Sequence, residues 1–307
     1  MGIVSSAEIA SFLRTQLIGE NIDVDTVSTL NKPIKGSVVF SKNKLTSFPI
    51  SVGFIVLCPI GTTVDLAILP KGVALIEVSN PRLAYAKVVA KYFIERKEPM
   101  IHPSAIISAK ANVHKTACVG ANTFIDDGVV IGKHTIINNN VVLAQNVIIG
   151  NNCYIKSGAV IGEDGFGFDF EENGKPVRIP HLGNVVIGNN VEVGAKVTIA
   201  RGTIGSTTIN NNVKFDDQVH VGHNCCIGEN TIITACAELS GSVTIGENCW
   251  IGPNSSIIQK VNIGNKVTIG IGSIITKDIE DNKKIMALEG LDLRSLLKVK
   301  KRIEYGK

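Results

Sequence analysis

From Ile101 onward one aliphatic residue returns every six positions. It runs through Ile107, Val113 and Val119 to Ile161, reappears at Ile187, Val193 and Ile199, and continues from Ile209 to Ile275. Of these twenty-six positions only Phe215 is not aliphatic. Neither the 3.6-residue period of a helix nor the two-residue alternation of an ordinary strand fits the spacing. A short strand, a corner and one inward side chain per six residues do fit it, and they describe a solenoid. Three hexads close one triangular coil, so the count implies between eight and nine coils. Residues i and i+18 are then stacked roughly 4.8 Å apart. "IGNN", "IGEN" and "IGNK" follow the aliphatic position repeatedly. Gly and Asn tolerate the positive φ that sharp corners need.

The hexad divides the chain. Residues 1–100 lack it and read as a small α/β domain. There "SSAEIASFLRTQL" is a helix capped by Ser5 or Ser6, and "NPRLAYAKVVAKYFIE" is a second with Pro81 in its first turn. The apolar runs "GSVVF", "VGFIVLCP" and "GVALIEV" read as strands. Residues 101–280 form the parallel β-helix, and 281–307 a tail whose "LDLRSLLKVKKRI" suits a short basic amphipathic helix. The 25 residues 162–186 interrupt the register, and Phe166, Phe168 and Phe170 alternate within them. Such a loop either packs its Phe on a neighbouring coil or subunit, or walls an apolar substrate groove.

Composition narrows the function. A net charge of +4 without aromatic-and-basic clusters argues against nucleic acid. No apolar run is long enough to span a bilayer. The start, "MGIVSSAEIASFL", carries Glu8 early and lacks the apolar core of a secretory leader. Gly2 to Ser6 match the myristoylation pattern, but one so short arises often by chance. The seven cysteines are odd in number and form no C-x-x-C pair, which suits free thiols in a reducing cytoplasm.

"QVHVGHNCCIGEN" holds two of the six histidines, His220 and His223. Alone, each reads as an exposed wall residue. Yet "GEDGFGFDF", "IPHLGNVVIGNNVEVGAKVTI", "DDQVHVGHN" and "ELSGSVTIGENCWIG" follow one another in a telling order. Together they resemble the UDP-3-O-acylglucosamine N-acyltransferases of lipid A biosynthesis, which are hexapeptide-repeat, left-handed β-helix enzymes. The resemblance implies a uridine-binding role for the N-terminal domain and a homotrimer with active sites between subunits. It also implies transfer of a 3-hydroxyacyl group from acyl carrier protein to the amine of a UDP-linked amino sugar in the cytoplasm.

His223 matches the family's general base. Gly241, eighteen residues on, matches its oxyanion donor, and Asp216 a carboxylate supporting the histidine. A group titrating near neutrality suits proton removal from an amine, and the developing oxyanion needs a fixed donor. Phe40, Phe166, Phe168, Asn224 and Lys260 are the expected substrate contacts. His220 is expected to be structural, and His181 to lie near the cleft or merely on the wall. No metal is implied, and no cofactor beyond the carrier's acyl-phosphopantetheine. The tail cations Arg294, Lys298, Lys300, Lys301 and Arg302 could dock an acidic carrier, or simply line a solvated helix face.

The chain departs from the family at three places. Lys260 stands for a second functional histidine, Thr46 for a uracil-stacking Tyr beside Phe40, and Ala200 for the carboxylate of "IDRG". These favour an alternative: a paralogue acylating another nucleotide amino sugar, with a short acyl-CoA or acetyl-CoA as donor. A metal-dependent carbonic anhydrase would need several histidines on one metal, and an ice-binding solenoid a flat Thr-rich face. Neither pattern is present in the sequence.

Overall fold

The computed structural model describes residues 2–45, 53–62, 69–95, 98–287, 290, 292, 294–295 and 297–299. Two compact units divide it, Met1–Arg96 and Lys97–Lys307.

In the first unit the strands Leu17–Gly19, Val73–Val78, Phe54–Pro59, Ser37–Phe40 and Thr26–Val27 lie side by side in that order. Leu17–Gly19 is antiparallel to its neighbour and the others are parallel. Both faces of the sheet are covered, so its central strands are continuous apolar runs. Ile55 and Leu57 pack with Ile9 of helix α1 (Ser6–Phe12) and with Ala84 and Val88 of helix α2 (Pro81–Val88). Phe54, Val56 and Cys58 form a separate cluster with Val39, Val73 and Leu75. Ser5 caps α1 by accepting from the Glu8 N–H at 3.2 Å, and Asn80 caps α2 through Leu83 N–H at 3.1 Å. Beyond α2 the chain loosens into a π-helix, Val89–Phe93.

The second unit is a parallel β-helix with three flat faces. The first face has nine strands, from Cys118–Val119 to Lys284–Ile285. The second also has nine, from Ile106–Ile107 to Ile274–Ile275. The third has eight, from Asn112–Val113 to Asn262–Ile263. The second residue of nearly every two-residue strand is the hexad aliphatic, and these stack into one continuous core from Val119 to Ile275. Phe215 is as buried as its aliphatic neighbours.

The corner chemistry differs in one respect from the expectation. The left-handed residue is the third after the aliphatic, typically Asn, as at Asn122, Asn140, Asn212 and Asn230. The Gly directly after the aliphatic is required for close approach instead. A Cβ on Gly228 would lie 2.4 Å from the carbonyl carbon of Gly246 in the next coil.

Two insertions break the register, both where the chain leaves the second face for the third. One follows the strand Val160–Ile161 and the other the strand Thr198–Ile199. The first insertion carries a β-hairpin, in which Phe168–Phe170 pairs antiparallel with Pro176–Arg178. The second is the short turn around Arg201–Gly205. It holds the returning arm of the first through Leu182 N–H to Thr203 O at 2.7 Å and Gly183 N–H to Gly202 O at 3.1 Å. Among the described tail residues Arg294, Ser295 and Leu297–Val299 are helical.

Candidate active site

His223 occupies the same corner one coil beyond the second insertion, because Ile161, Ile199, Val221 and Leu239 succeed one another on the second face. Three consecutive coils therefore contribute a hairpin, a turn and an imidazole to one place. The result is a cleft of about 230 Å³ lined by Gly165, Phe166, Ala200, His220, His223 and Gly241, among others.

A chain of polar contacts holds the His223 ring. The Thr203 N–H donates to Asn224 Oδ1 at 2.8 Å, which fixes which end of the Asn224 amide is oxygen. Asn224 Nδ2 therefore donates to His223 Nδ1 at 3.0 Å. In this arrangement the neutral ring carries its hydrogen on Nε2. His181 stacks edge-on to His223, with ring centroids 5.3 Å apart. Its Nδ1 donates to the Ile179 carbonyl at 2.9 Å, so Nε2 is left as an acceptor, buried and without a partner among the described residues. Burial first, and the His181 ring second, push the His223 pKa below its ordinary value.

Glycines let the backbone close on this pair. A Cβ on Gly165 would come within 2.9 Å of His223 and 3.1 Å of His181 Nε2. From the coil above, a Cβ on Gly241 would meet His223 Nε2 at 2.6 Å. Gly241's carbonyl accepts from the Lys260 N–H at 3.0 Å, and its own N–H has no acceptor among the described residues.

The hairpin is pinned over the cleft by Arg201, whose side chain is only 14% exposed. Its Nε donates to the Gly162 carbonyl at 2.5 Å and its Nη2 to the Gln145 carbonyl at 3.3 Å. Asp164 lies 3.8 Å from Arg201 Nε and 3.4 Å from Arg178 Nη2. Phe166 is 87% exposed and overhangs the cleft, with the Phe168 ring 4.8 Å from it. Arg178 in turn lies over the Phe168 ring, 5.5 Å from its centroid.

The other expected residues fall in various places. Asp216 makes no contact with His223 among the described residues. It accepts from the Asp217 N–H at 2.8 Å on the preceding corner, and Asn224 takes the position of ring partner. Lys260 is exposed and lies outside the cleft lining, whereas Gln259, two coils above His223, is part of it. His220 lines the cleft rather than a plain wall, with Nε2 3.9 Å from Glu238 Oε1 on the next rung. Ala200 is buried in the floor. In the first unit Phe40 packs against Tyr85, centroids 5.0 Å apart. Thr46, Lys300, Lys301 and Arg302 lie outside the described residues. Arg201 was not singled out from sequence, and of the two readings of His181, near the cleft or on the wall, the structure gives the first. Counting hexads in threes would have put both register breaks at the His223 corner.

Comparison with known proteins agrees with this architecture. The bacterial transferase hexapeptide model of six repeats matches residues 128–163, 206–241 and 242–277. The UDP-3-O-acylglucosamine N-acyltransferase of Leptospira biflexa serovar Patoc is 54% identical over 80 residues, 26% of this chain and 22% of that protein. The protein of the same name from Chlorobium chlorochromatii is 52% identical over 79 residues, again 26% and 22%. The matched stretch thus spans about a fifth of the length of these relatives. Among solved structures, the Francisella novicida UDP-N-acetylglucosamine acyltransferase superposes with a TM-score of 0.57 at 27% identity. That match covers 65% of this chain and 73% of the other.

Proposed function

We propose, from the left-handed parallel β-helix fold and the bacterial transferase hexapeptide repeats matched at residues 128–163, 206–241 and 242–277, that the chain is an N-acyltransferase. It moves a 3-hydroxyacyl group from the phosphopantetheine thioester of an acyl carrier protein to the amine of UDP-3-O-acyl-glucosamine, a step of lipid A biosynthesis in the cytoplasm. The observation that carries this reading is the placing of the His223 imidazole beside the Gly241 N–H, which has no acceptor among the described residues, in one cleft.

The amine attacks the thioester carbonyl while His223 removes its proton at Nε2. The sulfur departs as the pantetheine thiol once the tetrahedral intermediate collapses. Accepting a proton at Nε2 requires the Nδ1–H tautomer, so the Asn224 contact lengthens as the base engages. The lowered pKa keeps the ring neutral at pH 7, the state a base needs. The Gly241 N–H meets the negative charge that builds on the carbonyl oxygen. Phe166 and Phe168 offer apolar surface for the acyl chain. Lys260, exposed at the next corner position, supports attraction of a substrate phosphate as a point charge.

A trimer with sites between subunits is part of the proposal. Outward rows in the early coils support it: Ile106, Phe124, Val142 and Val160 on the second face, and Val130, Ile148 and Val186 on the third.

His223→Ala is expected to lower kcat by about 10²-fold or more with the fold retained. Near wild-type turnover in a folded variant would overturn the assignment. A second reading, a paralogue using a short acyl-CoA on another nucleotide amino sugar, draws on Ala200 in the cleft floor and the exposed Lys260. Mass spectrometry of products from a panel of acyl-carrier and acyl-CoA donors separates the two.

A further inference from the structure

The corners of this β-helix carry a repeated hydrogen bond. At the second residue after the hexad aliphatic, the backbone N–H points toward the residue one coil above. Among the described residues an Asn or Asp stands there at eight corners, and at seven its side-chain oxygen accepts; Asp127, above Ala109, bonds Ser108 and Lys110 instead. Ala121 is capped by Asn139 at 2.8 Å, Lys133 by Asn151 at 2.7 Å and Asn189 by Asn211 at 2.8 Å. Ala195 is capped by Asp217 at 2.7 Å and Glu247 by Asn265 at 2.8 Å.

A side chain one methylene longer makes no such bond here. Glu229 above Asn211, and Glu247 above Glu229, leave the N–H below them without a side-chain acceptor among the described residues. His223, Gly241 and Gln259 occupy the same register at the cleft corner. Gly241 has no side chain to cap His223, and Gln259 is of the length that does not cap Gly241.

We infer that Gln259 is a positioning residue whose length keeps the Gly241 N–H open to substrate, so that Asn at 259 would close the oxyanion donor without touching either Gly241 or His223. This rests on the acyltransferase reading, in which that N–H stabilises the reacting carbonyl oxygen. The physical basis is reach. Seven corner N–H groups are taken up by Asn or Asp from above, and the one facing the cleft is roofed by their longer homologue. An N–H already bonded to a side-chain amide cannot strengthen its interaction as charge develops, so the transition state loses a donor.

The experiment uses the full chain and three variants, read by steady-state turnover and by residue-resolved amide hydrogen exchange. Gln259→Asn is expected to slow exchange at Gly241 about tenfold or more and to lower kcat by roughly 10²-fold, the effect of removing one oxyanion donor. Glu229→Asn, on a corner away from the cleft, should protect the Asn211 amide in the same way with turnover retained. Gln259→Ala should retain at least about tenfold more turnover than the Asn variant, since Ala cannot cap. Unchanged Gly241 exchange in Gln259→Asn, or protection with undiminished kcat, overturns the inference. So does a Gln259→Ala loss as deep as that of Asn, which would assign the effect to missing Gln contacts. A wild-type chain inert toward every acyl-carrier and acyl-CoA donor overturns the acyltransferase reading and with it the catalytic use of the N–H. The exchange rates still decide independently whether Asn caps it.

Discussion

At the scale of single residues, His223 is held by Asn224, a neutral amide, where a carboxylate would stabilise the imidazolium. With burial and His181 also disfavouring the charged ring, its pKa is lowered. A base whose pKa is depressed remains unprotonated further into acid. The acid limb of kcat/KM is therefore expected below the ordinary histidine value of about 6.5. Asn224→Asp reverses the sign. One carboxylate oxygen can still accept the Thr203 N–H while the other faces Nδ1 and favours the cation. The acid limb should move up by about one pH unit or more, and activity at mildly acidic pH should drop. A pH–rate profile with its limb unmoved would remove Asn224 from the account. Gly241→Ala tests the neighbouring contact. A Cβ there would fall 2.6 Å from His223 Nε2 and push the ring aside, so turnover should collapse while the thermal midpoint changes little.

At the scale of elements, the hairpin over the cleft depends on Arg201 more than on its own pairing. Its two strands are short and exposed, and a lone two-stranded hairpin is marginal in water. Arg201 takes up the Gly162 and Gln145 carbonyls at the base. Arg201→Met keeps the apolar stem and removes those donors, at a local cost of about 1–3 kcal/mol. The hairpin should then open more often, with faster limited proteolysis between Phe166 and Ile179, reduced turnover, and little change in unfolding of the coils. A cleavage pattern identical to the parent's would show that the hairpin is held by something else.

At the scale of the whole β-helix, each coil is stabilised by the coil on either side, as in other solenoids. Phe215 is the widest hexad side chain and is only 2% exposed. Phe215→Ala should cost about 3–5 kcal/mol, whereas Phe215→Leu, closer in volume, should cost less than about 1.5 kcal/mol. Denaturant unfolding measures both, and equal midpoints for the two variants would contradict the packing argument. Assembly belongs to the same scale. Light scattering is expected to give the mass of three chains, and a fully active stable monomer would end the trimer proposal.

Periodicity alone determined the β-helix, its near-nine coils and the stacking of Gly241 over His223, because a six-residue repeat ties every inward side chain to a fixed place on the coil. The cap of α1, Ser5 of the two serines offered, and the start of α2 at Pro81 were legible for a related reason: helix starts are chemistry within one turn. What periodicity does not carry is how an insertion folds back, since that depends on contacts between segments far apart in the chain. Only the tertiary structure brought His181 beneath His223, made Asn224 rather than Asp216 the ring's partner, and set Gln259 rather than Lys260 in the cleft. These follow from where the hairpin closes and from how far each side chain reaches. A repeat identifies the corner at which a residue stands, and the packing across that corner decides which of its atoms face the cleft.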